Sequence, residues 1–126
     1  MKAQFGLDTN ILISWLLSGG DTPRLSEPKY RISLVVLAEL SWVLKSSFRN
    51  DKSQIIATIR LILESTKFEF VDRGLIEQSL IDFENGKAGF ADFLLMNDNL
   101  SSGCDATLTF DKNASRNSGF VLVKVR

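Results

Sequence analysis

Two apolar rhythms alternate along this chain. Short runs with β-branched and aromatic residues read as strands: AQFGL (3–7), YRISL (30–34), KFEFV (67–71), DATLTF (105–110) and FVLVKV (120–125). Between them lie longer stretches whose apolar positions recur every three or four residues, the spacing of a helix face. These are NILISWLLS (10–18), VVLAELSWVLKSS (35–47), KSQIIATIRLILES (52–65), LIEQSLIDFENG (75–86) and FADFLLMNDNLSSG (90–103). In residues 52–65, Ile55, Ile56, Ile59, Ile62 and Leu63 share one broad face. Gly86 and Gly103 are expected to stop their helices. Both prolines, Pro23 and Pro28, fall in residues 18–29, the one long loop the pattern predicts. Strands alternating with helices imply βαβ crossovers, so the expected fold is α/β with a mainly parallel sheet covered on both faces.

Four acids interrupt this pattern where apolar residues dominate. Asp8 ends the first strand run and Asp111 ends the fourth. In an open parallel sheet, ligands bind beyond the carboxyl ends of the strands, so both are expected at the same edge. Glu39 lies mid-helix among Val36, Leu40, Val43 and Leu44, where burial is the expectation and no capping role exists. Asp92 lies just inside a helix start, where its charge also favours the helix dipole. Structural roles compete with a functional one at three of the positions. Asp8 fits an N-cap for a helix starting near Asn10, Asp92 a first-turn helical acid, and Asp111 a turn residue.

Composition narrows the chemistry. The 126 residues suit one compact domain, so 1–126 is read as a single unit; 44% hydrophobic and 24% charged residues match a globular average. Nothing approaches the roughly 20 apolar residues of a membrane span. The start, MKAQFGLD, lacks the apolar region of a signal peptide, and a cytoplasmic protein is expected. The single Cys104 has no internal disulfide partner and is read as a plain small residue. There is no histidine, which excludes Ser-His-Asp and Cys-His catalysis and histidine-rich zinc sites. Fifteen Lys plus Arg balance fifteen Asp plus Glu, which neither points to nucleic acid nor excludes it.

Three or four converging carboxylates repel one another unless cations neutralise them. Mg²⁺ or Mn²⁺ fits, because hard cations prefer oxygen ligands and keep several waters. Phosphodiester hydrolysis is the natural chemistry of such a centre and needs no histidine.

The segments LDTNIL, LAEL, FADFLL and LTFDK, in that order and at these separations, resemble the PIN-domain ribonucleases, and within them the VapC-type toxins of bacterial toxin–antitoxin pairs. The likeness covers nearly the whole chain. It implies a three-layer α/β/α sandwich, a divalent metal, endonucleolytic cutting of RNA, a cognate antitoxin and homodimerisation. Carried over by position, it makes Asp8, Glu39, Asp92 and Asp111 the catalytic and metal-binding acids. Thr9 or Asn10 then supports the first acid, and Thr109 precedes the last.

Lys45, Arg49, Lys87, Lys112 and Arg116 are candidates for phosphate contacts, with Lys52 and Arg60 nearby in sequence, although each also fits a solvated surface charge. Trp15 and Trp42 are expected in the core rather than as base-stacking platforms. A haloacid-dehalogenase phosphatase would need a second acid where Asn10 stands. A receiver domain would need a strand before Asp51. The remaining alternatives are a PIN-like module that binds RNA or protein without cutting, and an RNA-maturation nuclease with no toxin role.

Overall fold

The computed structural model describes residues 2–20 and 24–124. Pro23, and residue 125 of the last expected strand, lie outside these. The chain forms two compact units, Met1–Arg73 and Gly74–Arg126.

The first unit is built around a parallel sheet of β1 (Phe5–Gly6), β2 (Tyr30–Ile32) and β3 (Phe68–Phe70), in that order. Phe5 pairs with Tyr30, and Tyr30 with Phe68. Alternation along β2 follows the two-residue period of a strand: Tyr30 and Ile32 are buried and Arg31 is exposed. Three helices accompany the sheet, α1 (Thr9–Leu17), α2 (Leu34–Ser46) and α3 (Lys52–Glu64). Their starts are chemically marked. Ser33 caps α2 by accepting from the Val36 N–H at 3.2 Å. Asp51 and Gln54 form a reciprocal capping box at α3, with bonds of 2.9 and 2.8 Å.

Leu12, Ile32, Leu37, Leu40, Ile59 and Ile62 are almost wholly buried. Each such side chain contributes about 1.5–3 kcal/mol through removal from water. Trp15, expected in the core, is half-buried at its margin, where it meets Phe68 edge-to-face with ring centroids 4.8 Å apart.

The second unit contains α4 (Arg73–Asn85), whose first residue belongs to the first unit, α5 (Phe90–Ser101), β4 (Thr107–Thr109), α6 (Lys112–Ser115) and β5 (Phe120–Leu122). Strands β4 and β5 pair in parallel, Thr107 with Phe120 and Thr109 with Leu122. Phe83, Phe90, Phe93, Leu94, Met96 and Phe120 are buried. Buried Ser79 donates to the Leu75 carbonyl at 2.8 Å and accepts from Asn97 at 3.0 Å; Asn97 also donates to Asp82, so a polar link joins α4 to α5.

Both glycine stops fall where expected, for different reasons. Gly103 follows α5 with φ +96°, a conformation in which a side chain is strained. Gly86 follows α4 without positive φ. There the requirement is space, since a Cβ would lie 2.5 Å from Phe93 Cζ and 2.7 Å from Asn117 Oδ1.

The molecule is therefore α/β, and among the described residues every strand pairing is parallel. Among the described residues, no helix is long and apolar enough to cross a membrane.

Candidate metal centre

Asp8 follows β1 and opens α1. Its Oδ1 accepts the Thr9 N–H at 2.7 Å, and its carbonyl accepts from Ile11 and Leu12, so it is the N-cap of that helix. Thr9 is buried, and its hydroxyl donates to Glu39 Oε1 at 2.9 Å. One bond thus joins the residue beside Asp8 to an acid on α2, thirty positions away.

In the second unit, Asp92 sits in the first turn of α5, and its Oδ2 accepts the Gly89 N–H at 3.0 Å. Gly89 has no side chain to reciprocate, so this is half a capping box. Asp111 caps α6 by accepting the Asn113 N–H at 2.8 Å, while its own N–H donates to Thr109 Oγ1 at 3.0 Å.

Burial differs from the expectation. Asp8, Glu39 and Asp111 are exposed, and Asp92 is half-buried. Helix α2 explains Glu39. It turns Val36, Leu37, Leu40 and Leu44 inward, whereas Val35, Glu39, Trp42 and Ser46 share the opposite, exposed face. Apolar residues on that outer face hid the periodicity. Trp42 is 60% exposed for the same reason, which corrects its placement in the core. Asp8 is exposed because β1 is only two residues long and both of them are exposed. Asp8 and Asp111 each follow a strand as expected, but the two strands lie in separately hydrogen-bonded sheets.

The donor set suits a hard divalent ion in kind, being made of carboxylate oxygens. Asp8, Asp92 and Asp111 each have one oxygen held by a nearby backbone N–H, and Glu39 has one held by the Thr9 hydroxyl; the second oxygen of each has no protein partner among the described residues. These bonds orient the four groups without using up their capacity to bind. Among the described residues, no group of three or more Asp, Glu or Cys side chains is gathered so as to hold a metal ion. Thr9 is bonded to two of the expected acids, through its N–H to Asp8 and through its hydroxyl to Glu39.

The candidate phosphate-contacting residues are all exposed. Lys45 lies in the last turn of α2, and Arg49 in the following loop with φ +54°. Lys112 opens α6, Arg116 closes it, and Lys87 lies in the loop before α5. Asn10 is exposed on α1, and Cys104 is exposed after α5. The apolar pattern does not single out Asn113 or Asn117. Their signal in the sequence is the run DKNASRN, rich in side chains that bond nearby backbone. No protein-family profile matches this chain, and no curated protein matches it.

Proposed function

We propose that this chain is a Mg²⁺- or Mn²⁺-dependent endoribonuclease of the PIN type, acting in the cytoplasm as the toxin of a toxin–antitoxin pair. The observation that carries this reading is the Thr9–Glu39 hydrogen bond, which connects the LDTN segment to the LAEL helix at the carboxyl end of a parallel strand. In the proposed fold, a three-layer α/β/α sandwich, Asp8, Glu39 and Asp92 hold the main ion. Asp111 holds a second ion or orients the attacking water. Thr9 keeps Glu39 in one rotamer, and Thr109 fixes the backbone of Asp111. Lys45, Arg49, Lys87, Lys112 and Arg116 offer charge to RNA phosphates. A bound divalent ion supplies Lewis acidity for activating water and stabilising charge on the phosphate. A cognate antitoxin and a homodimer complete the proposal.

A non-catalytic binding module is the second reading. It is favoured by the helix-capping roles of Asp8, Asp92 and Asp111 and by the absence of a gathered ligand group among the described residues. One experiment separates the two. Wild type and Asp92→Asn are incubated with total bacterial RNA in Mg²⁺, Mn²⁺ or chelator, and new 5′ ends are mapped. Discrete ends that require metal and disappear in the variant support the nuclease. Equal cleavage by a folded Asp92→Asn protein removes Asp92 from the site. No metal-dependent ends with either protein favours the binding module.

A further inference from the structure

We infer that the outer face of α2 and the turn after it form a binding strip for single-stranded RNA, with Trp42 as the platform on which a base stacks. The inference rests on the RNA-directed reading above, though on none of its metal chemistry, and it assigns a residue that reading does not use.

Trp42 is 60% exposed, whereas tryptophan is mostly buried in folded chains. Its indole N–H has no protein partner among the described residues. Lys45 follows about 4.5 Å further along the helix axis, and Arg49 lies in the turn beyond; both are exposed. Neither cation has an ion-pair partner among the described residues. Phe48, 43% exposed, supplies a second ring between them. Backbone bonds fix the turn that carries Phe48 and Arg49. The Phe48 N–H donates to the Val43 carbonyl at 3.3 Å, and the Asn50 N–H to the Leu44 carbonyl at 2.9 Å.

Charge selects the occupant. From Leu40 to Asn50 the chain carries Lys45 and Arg49 and no acid. Glu39, one turn before Trp42, repels phosphates and bounds the strip on that side. Asp51 follows on the other side, but its Oδ1 accepts from the Gln54 N–H and the Ser53 hydroxyl at 2.9 Å each, within its own helix start. An apolar partner laid on this face would desolvate the two cations without pairing them. A single strand satisfies both parts of the strip at once, its phosphates on the cations and its bases on the rings. A duplex keeps its base faces stacked on one another and offers the indole nothing.

The test uses the full chain in chelator, so that binding is read without metal-dependent cleavage. Affinity for a mixed-sequence single-stranded RNA is measured by filter binding over a range of salt, tryptophan fluorescence by titration with the same RNA, and the fold by thermal melting. Wild type is expected to bind with quenched fluorescence, the remaining signal coming from half-buried Trp15. Trp42→Ala is expected to raise the dissociation constant about tenfold or more and to lose most of the quenching. Trp42→Phe, which keeps a ring, is expected to stay within about threefold of wild type. Trp42→Leu takes the place of the alanine variant if that one does not fold. Lys45→Ala is expected to lower the slope of log affinity against log salt by about 0.7. Wild-type RNA affinity in a folded Trp42→Ala protein overturns the role of Trp42 and leaves the RNA reading standing. If that variant also passes from dimer to monomer in sedimentation, the face is instead a contact between copies of this chain. Wild type that binds no single-stranded RNA, in chelator or in Mg²⁺, overturns the RNA reading, and the strip falls with it.

Discussion

The Asp8-Thr9-Asn10 triplet interrupts a long apolar stretch, and its three side chains take three different positions. Asp8 is exposed and caps α1, Thr9 is buried, and Asn10 faces solvent. That an acid here caps a helix was legible, because a carboxylate just before a helix pattern fits that role. The Thr9–Glu39 partnership was not, since nothing local relates residues thirty positions apart. Thr9→Val preserves shape and removes the donor. Glu39 is exposed and stays hydrated without it, so stability is expected to change by about 1 kcal/mol or less in urea unfolding. The Mn²⁺ dissociation constant is expected to rise about tenfold, as for loss of a group that orients a ligand. An unchanged constant would show that Thr9 has no part in metal binding.

At the scale of elements, the expected helices match the observed ones within one or two residues, because helix spacing is a local property. The strands are shorter than expected at their ends. Apolar residues such as Val71 and Phe110 continue the pattern past the hydrogen-bonded pairing, where packing no longer holds them and both are exposed. Helix α6 has four residues, too few to show a period. Asp51, unsuited to a receiver site, proves to be the cap of α3. The Gln54 backbone N–H, and after it the Ser53 hydroxyl, hold its carboxyl below the ordinary 3.8. A depressed carboxylate contributes stability above its unfolded value, and this is lost as pH falls through the folded one. Urea midpoints measured from neutrality to below pH 3.8 are therefore expected to fall less steeply with acid in Asp51→Asn than in wild type. Parallel acid limbs would show that the cap has no electrostatic part in stability.

For the whole molecule, the prediction concerns linkage between folding and metal. Free Mg²⁺ or Mn²⁺ at about a hundred times its dissociation constant should stabilise the folded chain by about 2.7 kcal/mol, and a chelator should reverse this. Calorimetric scans with and without metal read the shift. A metal-indifferent melting temperature counts against a filled acidic centre. The sequence by itself determined the alternation of strands and helices, and with it the parallel pairing. By lacking histidine, it also restricted metal chemistry to oxygen donors with, at most, the one thiol. These follow from the period of neighbouring residues and from the inventory of side chains. Only the tertiary structure decided that Glu39 faces solvent, that Thr9 reaches it, and that Asn117 joins Lys87 to α6. Such contacts depend on which faces pack against each other, a property of the assembled chain that no local window of sequence contains.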